Sequence, residues 1–191
     1  MILSDTEIKK RLESGEIWFT PLFWDYDVTQ QLWPASLDFR LGNVFKIYRK
    51  SRKTCIDVKE GVDPEHVETI KLNDGETFVL HPGDFVLGAT LEKLKVPHDL
   101  VTRCEGRSSL GRLGLIIHST AGFIDPWFEG TITLEMTNIN VLPIRLYVGM
   151  KVGQYAFEKV DGVVEVPYDL RTGSKYLGQI EPEASRIKAD N

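Results

Sequence analysis

The sequence predicts a mainly β chain, a β-barrel or jelly roll carrying one short N-terminal helix. Three observations predict it. A single segment near the N-terminus has both helix start and helix stop signals. Nearly everything after it is cut at strand length by breakers such as His81-Pro82-Gly83-Asp84 and Asp125-Pro126. One segment, Thr131-Ile132-Thr133-Leu134-Glu135-Met136-Thr137, alternates polar and apolar residues without a break. Many short strands with few helices are the pattern of a barrel or jelly roll.

The helix is predicted by Leu3-Ser4-Asp5-Thr6-Glu7-Ile8: Ser4 is the N-cap, Glu7 completes a capping box, and Leu3 and Ile8 are placed for a hydrophobic staple. Gly15 supplies the stop. Strands are predicted over 35–41, 44–48, 77–80, 85–91, 113–118, 131–137, 144–147 and 152–157. The basic run Arg49-Lys50-Ser51-Arg52-Lys53 reads as a solvated loop. From Tyr168 onward the chain is polar and glycine-containing but keeps two tyrosines, Tyr168 and Tyr176. A disordered tail would be poorer in aromatics. Residues 168–191 therefore read either as a strap on a neighbouring surface or as a lid over a ligand.

With 191 residues, 42% of them hydrophobic, the chain reads as a single domain, 1–191, large enough to bury about 70% of its unfolded surface without a disulfide or metal staple. Cys55 and Cys104 lie far apart and read as two buried free thiols. The net charge of −5 argues against nucleic-acid binding, so an anionic ligand must find local positive charge. No stretch approaches the roughly 20 apolar residues of a bilayer span, and Met1-Ile2-Leu3-Ser4-Asp5 lacks a signal-peptide core. The expectation is a cytoplasmic protein with no membrane partner.

That local charge is densest in Arg103-Cys104-Glu105-Gly106-Arg107-Ser108-Ser109-Leu110-Gly111-Arg112-Leu113-Gly114, where three arginines meet one carboxylate. Its glycines allow close backbone approach, Ser108-Ser109 can open a helical turn, and arginine offers the fork that matches phosphate oxygens. A surface ion-pair loop is the competing reading, and no Walker spacing is present. In the alternating segment Glu135 stands mid-strand among hydroxyls. On a solvated face it does nothing; facing a pocket, it is a candidate proton shuttle. Between the two lies His118-Ser119-Thr120-Ala121-Gly122-Phe123-Ile124-Asp125-Pro126-Trp127-Phe128-Glu129-Gly130, read as a hairpin that brings Asp125 toward the site of Glu135. His66-Val67-Glu68 matches half of a zinc deaminase motif, but the Pro-Cys-x-x-Cys half is absent. The four histidines show no metal-ligand spacing, and no Gly-x-Ser-x-Gly elbow occurs, so no protein metal site is expected.

Together, Pro34-Ala35-Ser36-Leu37-Asp38-Phe39-Arg40-Leu41-Gly42, the Arg107 loop, the 121–130 segment running into Glu135, and Lys175-Tyr176-x-x-Gln179 resemble the dCTP deaminases of the trimeric dUTPase superfamily. The resemblance runs in order from Leu3 to Arg186. It implies a distorted jelly-roll barrel that assembles as a homotrimer, with active sites at subunit interfaces and a C-terminal lid. It also implies zinc-free deamination, in which Glu135 takes a proton from the water attacking cytosine C4 and returns it as ammonia leaves. By the same resemblance Ser108 and Arg112 hold the water and polarise the ring, and Arg107, Ser108 and Ser109 form the phosphate loop. Ala121 and the sugar-side carboxylate Asp125 contact the nucleotide, Thr133, Leu134 and Glu135 line the base pocket, Gln154 is a further contact, and Tyr168, Lys175 and Gln179 belong to the lid. Ligands would be dCTP, dUTP or dTTP, and Mg2+ would travel on the triphosphate.

Monofunctional relatives release dUTP; bifunctional ones go on to dUMP and pyrophosphate. Gly122 stands where a monofunctional group carries His, which favours the bifunctional type. One departure bears on this. The family's Asp-Pro-Gly-aromatic turn reads Asp125-Pro126-Trp127-Phe128 here, and Trp is strained at positive φ, so a reshaped turn is expected near Asp125. A plain dUTPase or a non-catalytic nucleotide-binding barrel are the alternatives; ammonia release from dCTP excludes both.

Overall fold

The first helix begins where a side chain takes over an orphaned backbone donor. In the computed structural model, which describes residues 1–22, 27–49, 55–118 and 120–190, Ser4 Oγ accepts from the Glu7 N–H at 3.4 Å and α1 (Asp5–Glu13) follows. Leu3 and Ile8 are both buried, as a staple requires, and Gly15 ends the turn at φ 78°. The Glu7 carboxylate accepts from Arg11 Nε at 3.3 Å. A two-point pair from Arg11 to Asp99, 2.9 and 2.8 Å, then ties α1 to the barrel and holds the Asp99 carboxyl below its ordinary range.

Strands follow in order: β1 (Trp18–Pro21), β2 (Leu32–Trp33), β3 (Ser36–Arg40), β4 (Val44–Tyr48), β5 (Val67–Lys71), β6 (Thr77–Leu80), β7 (Phe85–Ala89), β8 (Glu92–Lys95) and β9 (Leu100–Gly106). After one helical turn, α2 (Ser108–Gly111), come β10 (Leu115–Ile116), β11 (Phe123–Ile124), β12 (Glu129–Gly130), β13 (Thr133–Asn138), β14 (Ile144–Tyr147) and β15 (Lys151–Lys159). All pair antiparallel, in two five-stranded sheets, β10-β13-β7-β4-β5 and β11-β9-β15-β3-β2, with smaller sheets β1-β8-β12 and β14-β6. One apolar core joins them: Leu37, Phe39, Tyr155 and Phe157 from one large sheet, Phe45, Val86, Leu134 and Met136 from the other. The barrel keeps open seams between its sheets. A buried Glu92 carboxylate in this interior accepts from the Arg40 N–H at 2.8 Å and its guanidinium at 2.6 Å; burial pushes its pKa up and Arg40 opposes the shift.

The mainly β reading and the single true helix hold, with strands 44–48, 77–80 and 144–147 as expected. Several expectations change. Residues 103–106 are not loop but the end of β9, which pairs with β15 along its whole length. Thr102 and Cys104 point into the core while Arg103 and Glu105 face outward, so a period of two was present before the Gly-Arg-Ser-Ser punctuation. Arg103 is consequently paired with Glu158 at 2.6 Å, and its charge is not free for a ligand. The strand expected over 113–118 shrinks to β10, because Gly114 takes φ 84°. Segment 121–130 is not a hairpin: β11 pairs with β9 and β12 with β8, so the chain crosses from one sheet to another at Asp125. Cys104 is buried, its thiol pushed up by desolvation, but Cys55 is exposed. In the basic run, Arg49 pairs with Glu68 at 2.9 Å; residues 50–53 lie outside the described residues.

Candidate functional site

Strand β13 supplies the floor of the site. Its alternation puts Leu134 and Met136 wholly in the core, while Thr133, Glu135 and Thr137 stand half-buried on the other face. A cleft of about 370 Å³ lies over that face. Tyr48, Phe85 and Leu87 wall one side, the sheet-crossing segment contributes Ala121, Ile124 and Asp125, and the C-terminal segment contributes Tyr168, Tyr176, Gln179 and Glu183. Glu135 therefore faces a pocket and not bulk water, with its side chain 30% exposed.

The imidazole of His118 closes in on that carboxylate. Its side chain is only 7% exposed, Nδ1 lies 3.9 Å from Glu135 Oε2, and neither ring nitrogen has a hydrogen-bond partner among the described residues. Sequence reasoning weighed His118 only for metal spacing and missed this contact. The register signal lies in tertiary pairing: β10 runs antiparallel to β13 with Ile116 opposite Thr137, which carries the chain two residues on to Glu135. Tyr48, also on the cleft, has its hydroxyl pKa raised by burial first and by the Glu135 charge second. Gly122 fits because the backbone is tight: a Cβ there would lie 2.8 Å from the Cys104 carbonyl oxygen and 3.5 Å from the His118 ring. A larger residue at this position must displace the segment that leads to Asp125.

The C-terminal segment lies on its own barrel, over the cleft. The Thr131 N–H donates to Gln179 O at 2.9 Å, the Gly178 N–H to Glu129 O at 2.7 Å, and the Glu183 N–H to Thr133 Oγ1 at 3.2 Å. Gln179 is buried, and the Tyr168 ring meets Phe128 edge to face at 5.6 Å. Arg186 ties the segment together, donating to Lys175 O, pairing with Glu183 at 2.6 Å and lying over the Tyr176 ring. The segment thus lies as a strap whose residues Tyr168, Tyr176, Gln179 and Glu183 form a wall of the pocket.

The structure brings six of the expected site residues to this cleft: Ala121, Asp125, Thr133, Glu135, Tyr168 and Gln179. Arg107, Ser108, Ser109, Arg112, Gln154 and Lys175 do not line it. Leu134 does not line it either. Its side chain is fully buried on the core face, so only its backbone can meet a ligand. Ser108 and Ser109 do open a helical turn, α2, on which Ser108, Ser109 and Arg112 are exposed. Among the described residues no group of three or more His, Cys, Asp or Glu is arranged to hold a metal ion.

At the sheet crossing, Trp127 itself adopts φ 67°, the one positive φ at a non-glycine among the described residues. The turn still closes, with the Phe128 N–H donating to Asp125 O at 3.2 Å and the Trp127 N–H to Val96 O at 3.0 Å. The ring covers neighbours on β8 and beyond, with Lys95 Nζ 6.0 Å and the His98 ring 6.2 Å from its centroid. Side-chain packing thus holds a residue in a conformation that costs about 1–2 kcal/mol for anything bearing a Cβ. This predicts an inverted order of truncations. Trp127→Gly should be more stable than Trp127→Ala by about 1 kcal/mol in denaturant titrations at matched protein concentration, although Gly is ordinarily the worse residue. An Ala variant as stable as the Gly variant would show that the turn relaxes out of the left-handed region.

Comparison with known proteins adds three findings. Residues 2–160 match the family described as dCTP deaminase-like. Curated relatives align end to end: a protein of Dictyoglomus thermophilum named "dCTP deaminase, dUMP-forming" is 47% identical over 190 residues, covering 100% of this chain and 96% of the relative. One of Methanobrevibacter smithii with the same name is 48% identical over 99% of this chain and 96% of its own length, and one of Natronomonas pharaonis named "dCTP deaminase" is 45% identical over 100% and 96%. Among solved structures, the 2'-deoxycytidine 5'-triphosphate deaminase of Agrobacterium tumefaciens superposes with a TM-score of 0.64 at 24% identity, covering 84% of this chain and 48% of that one. At that identity the match speaks for the fold.

Proposed function

Because the chain belongs to the dCTP deaminase-like family, we propose that it hydrolyses the exocyclic amine of dCTP and cleaves the resulting triphosphate, releasing ammonia, dUMP and pyrophosphate. The observation that carries the chemistry is Glu135, a half-buried carboxylate facing a closed-over cleft beside His118 and Thr133. In this reading a water lies between Glu135 and cytosine C4. Glu135 takes its proton as the oxygen adds to C4, giving a tetrahedral centre that carries both OH and NH2. The carboxyl then returns that proton to the amine, the C–N bond breaks and ammonia leaves, and the hydroxyl's own proton passes to ring N3, so that the C4 carbonyl forms and the uracil ring carries an N3–H. A positioned general acid and base of this kind contributes about 10²- to 10⁴-fold, and orientation by the pocket supplies the rest. Zinc has no part in this scheme.

Asp125 reaches the same cleft from the sheet crossing and is assigned to the sugar side, with a role in splitting the triphosphate. The full-length relatives from Dictyoglomus and Methanobrevibacter, both named as dUMP-forming, support the second step. Mg2+ arrives as part of the nucleotide substrate. Tyr168 and Gln179 close the pocket from the strap, as a lid would. Arg107, Ser108, Ser109 and Arg112 are assigned to the phosphates, the water and the ring of a nucleotide bound in a neighbouring subunit's cleft. This split favours a homotrimer whose sites lie at the subunit interfaces, and it fits a group of polar site residues that stay outside their own chain's cleft.

Incubation with dCTP and Mg2+, with nucleotides resolved by ion exchange and ammonia and pyrophosphate assayed in parallel, tests the whole reading. Ammonia, pyrophosphate and dUMP are expected in equal amounts with no build-up of dUTP. Accumulating dUTP would overturn the second step and leave a monofunctional deaminase. Absence of ammonia would overturn the reading altogether.

A further inference from the structure

The outer face of the sheet formed by β2, β3, β15 and β9 carries a second polar assembly, none of whose residues lines the cleft. Its centre is Asp38, whose side chain is 1% exposed. Asp38 Oδ2 accepts from Trp33 Nε1 at 2.8 Å and lies 3.4 Å from Lys151 Nζ and 3.9 Å from Arg107 Nη2. Its Oδ1 has no hydrogen-bond partner among the described residues. Gln154 stands opposite Asp38 in the β15–β3 register, its amide oxygen accepting from Ser36 Oγ at 3.2 Å, and Glu105 lies opposite Gln154 on β9.

We propose that Lys151 is a further triphosphate-contacting residue of the deaminase site, held by Asp38 beside Arg107. The inference rests on the reading above that Arg107 and its neighbours receive the phosphates, and it extends that site to a residue on another strand. A buried carboxylate with one orphaned oxygen is costly, and a merely structural sheet position has no need of it. What this carboxylate does is gather two cations from different elements, Lys151 at the start of β15 and Arg107 just before α2, at one point. Without it, two like charges so placed would repel.

The donor count leaves Lys151 able to bind. An ammonium has three N–H donors; Gln30 O and Asp38 Oδ2 take two, and the side chain is still 32% exposed. Arg107, 31% exposed, is likewise only loosely engaged at 3.9 Å. A triphosphate offers several adjacent anionic oxygens, more than one guanidinium can meet. The arginine fork and the lysine point charge are complementary on such a group. The β-bulge between Lys151 and Gly153 breaks the strand's alternation, and Lys151 and Gln154 both sit by Asp38 as a result.

The test compares Lys151→Gln and Lys151→Arg with the parent. For Lys151→Gln the KM for dCTP should rise about tenfold, the loss of one charge-assisted contact, with kcat within about twofold. Competitive inhibition by dCMP, which lacks the two outer phosphates, should hardly change, and Lys151→Arg should recover most of the loss. Calorimetric titration with inorganic tripolyphosphate gives a readout that needs no turnover, and Lys151→Gln should weaken it by a similar factor. Unchanged KM and unchanged tripolyphosphate binding would overturn the proposal. So would equal losses for dCTP and dCMP with a lowered melting temperature, which would mark the Asp38 assembly as structural. Should the parent bind tripolyphosphate through Lys151 yet release no ammonia from dCTP, the functional reading fails while the phosphate contact of Lys151 stands.

Discussion

A Glu135→Gln variant is expected to lose dCTP deamination by about 10²- to 10⁴-fold while it still binds the nucleotide. The amide has the shape of the carboxylate, keeps its place on β13 beside Thr133, and leaves the cleft walls intact. It cannot take a proton from water or return one to the departing amine. Single-turnover ammonia release measures the loss, and equilibrium binding of dCTP with Mg2+ checks that the pocket survives. His118, whose Nδ1 lies 3.9 Å from Glu135 Oε2, and Asp125 on the wall of the same cleft are groups able to accept a proton in place of Glu135. Turnover at the parent rate in the variant would therefore move the proton from Glu135 to another group and sink the mechanism. Loss of binding along with turnover would instead reduce Glu135 to a contact.

Mixing two inactive variants should restore activity. Arg112→Ala damages the exposed α2 surface and Glu135→Gln damages the cleft, and no described geometry brings those two regions of one chain to a common pocket. If one subunit supplies Glu135 and its neighbour supplies Arg112, random co-assembly of equal amounts leaves about a quarter of the sites with both residues intact. Co-refolded or co-expressed mixtures should then recover about a quarter of the parent rate, while each variant alone stays inactive. A site contained within one chain predicts no recovery at any ratio, because every chain carries a lesion. Mixtures that remain dead, with mixed trimers confirmed by differential tagging, would refute the interface assignment.

Local rules that act over a few residues are legible in the sequence. The capping of α1 by Ser4, the stop at Gly15, the three strands whose bounds agree, and the two faces of β13 all depend on periodicity, turn chemistry and short-range hydrogen bonds. The strain at Trp127 is legible too, as the wrong residue type for a left-handed turn. Family membership follows from the order of motifs along the chain. Where the local pattern misleads, the deciding partner is remote. Leu100–Gly106 is a strand because β15 pairs with it, and segment 121–130 is a sheet crossing because β9 and β8 claim its two ends.

By itself, then, the sequence determined which residue types this protein has for chemistry and which face of each strand they occupy, since both follow from spacing along the chain. Tertiary structure alone decided which of those faces meet. It set His118 against Glu135, folded the strap over the cleft, and gathered Lys151 and Arg107 around a buried Asp38. The physical reason is range. Backbone periodicity is enforced within a few residues, whereas burial and charge pairing act through space between strands whose sequence separation carries no signal of its own.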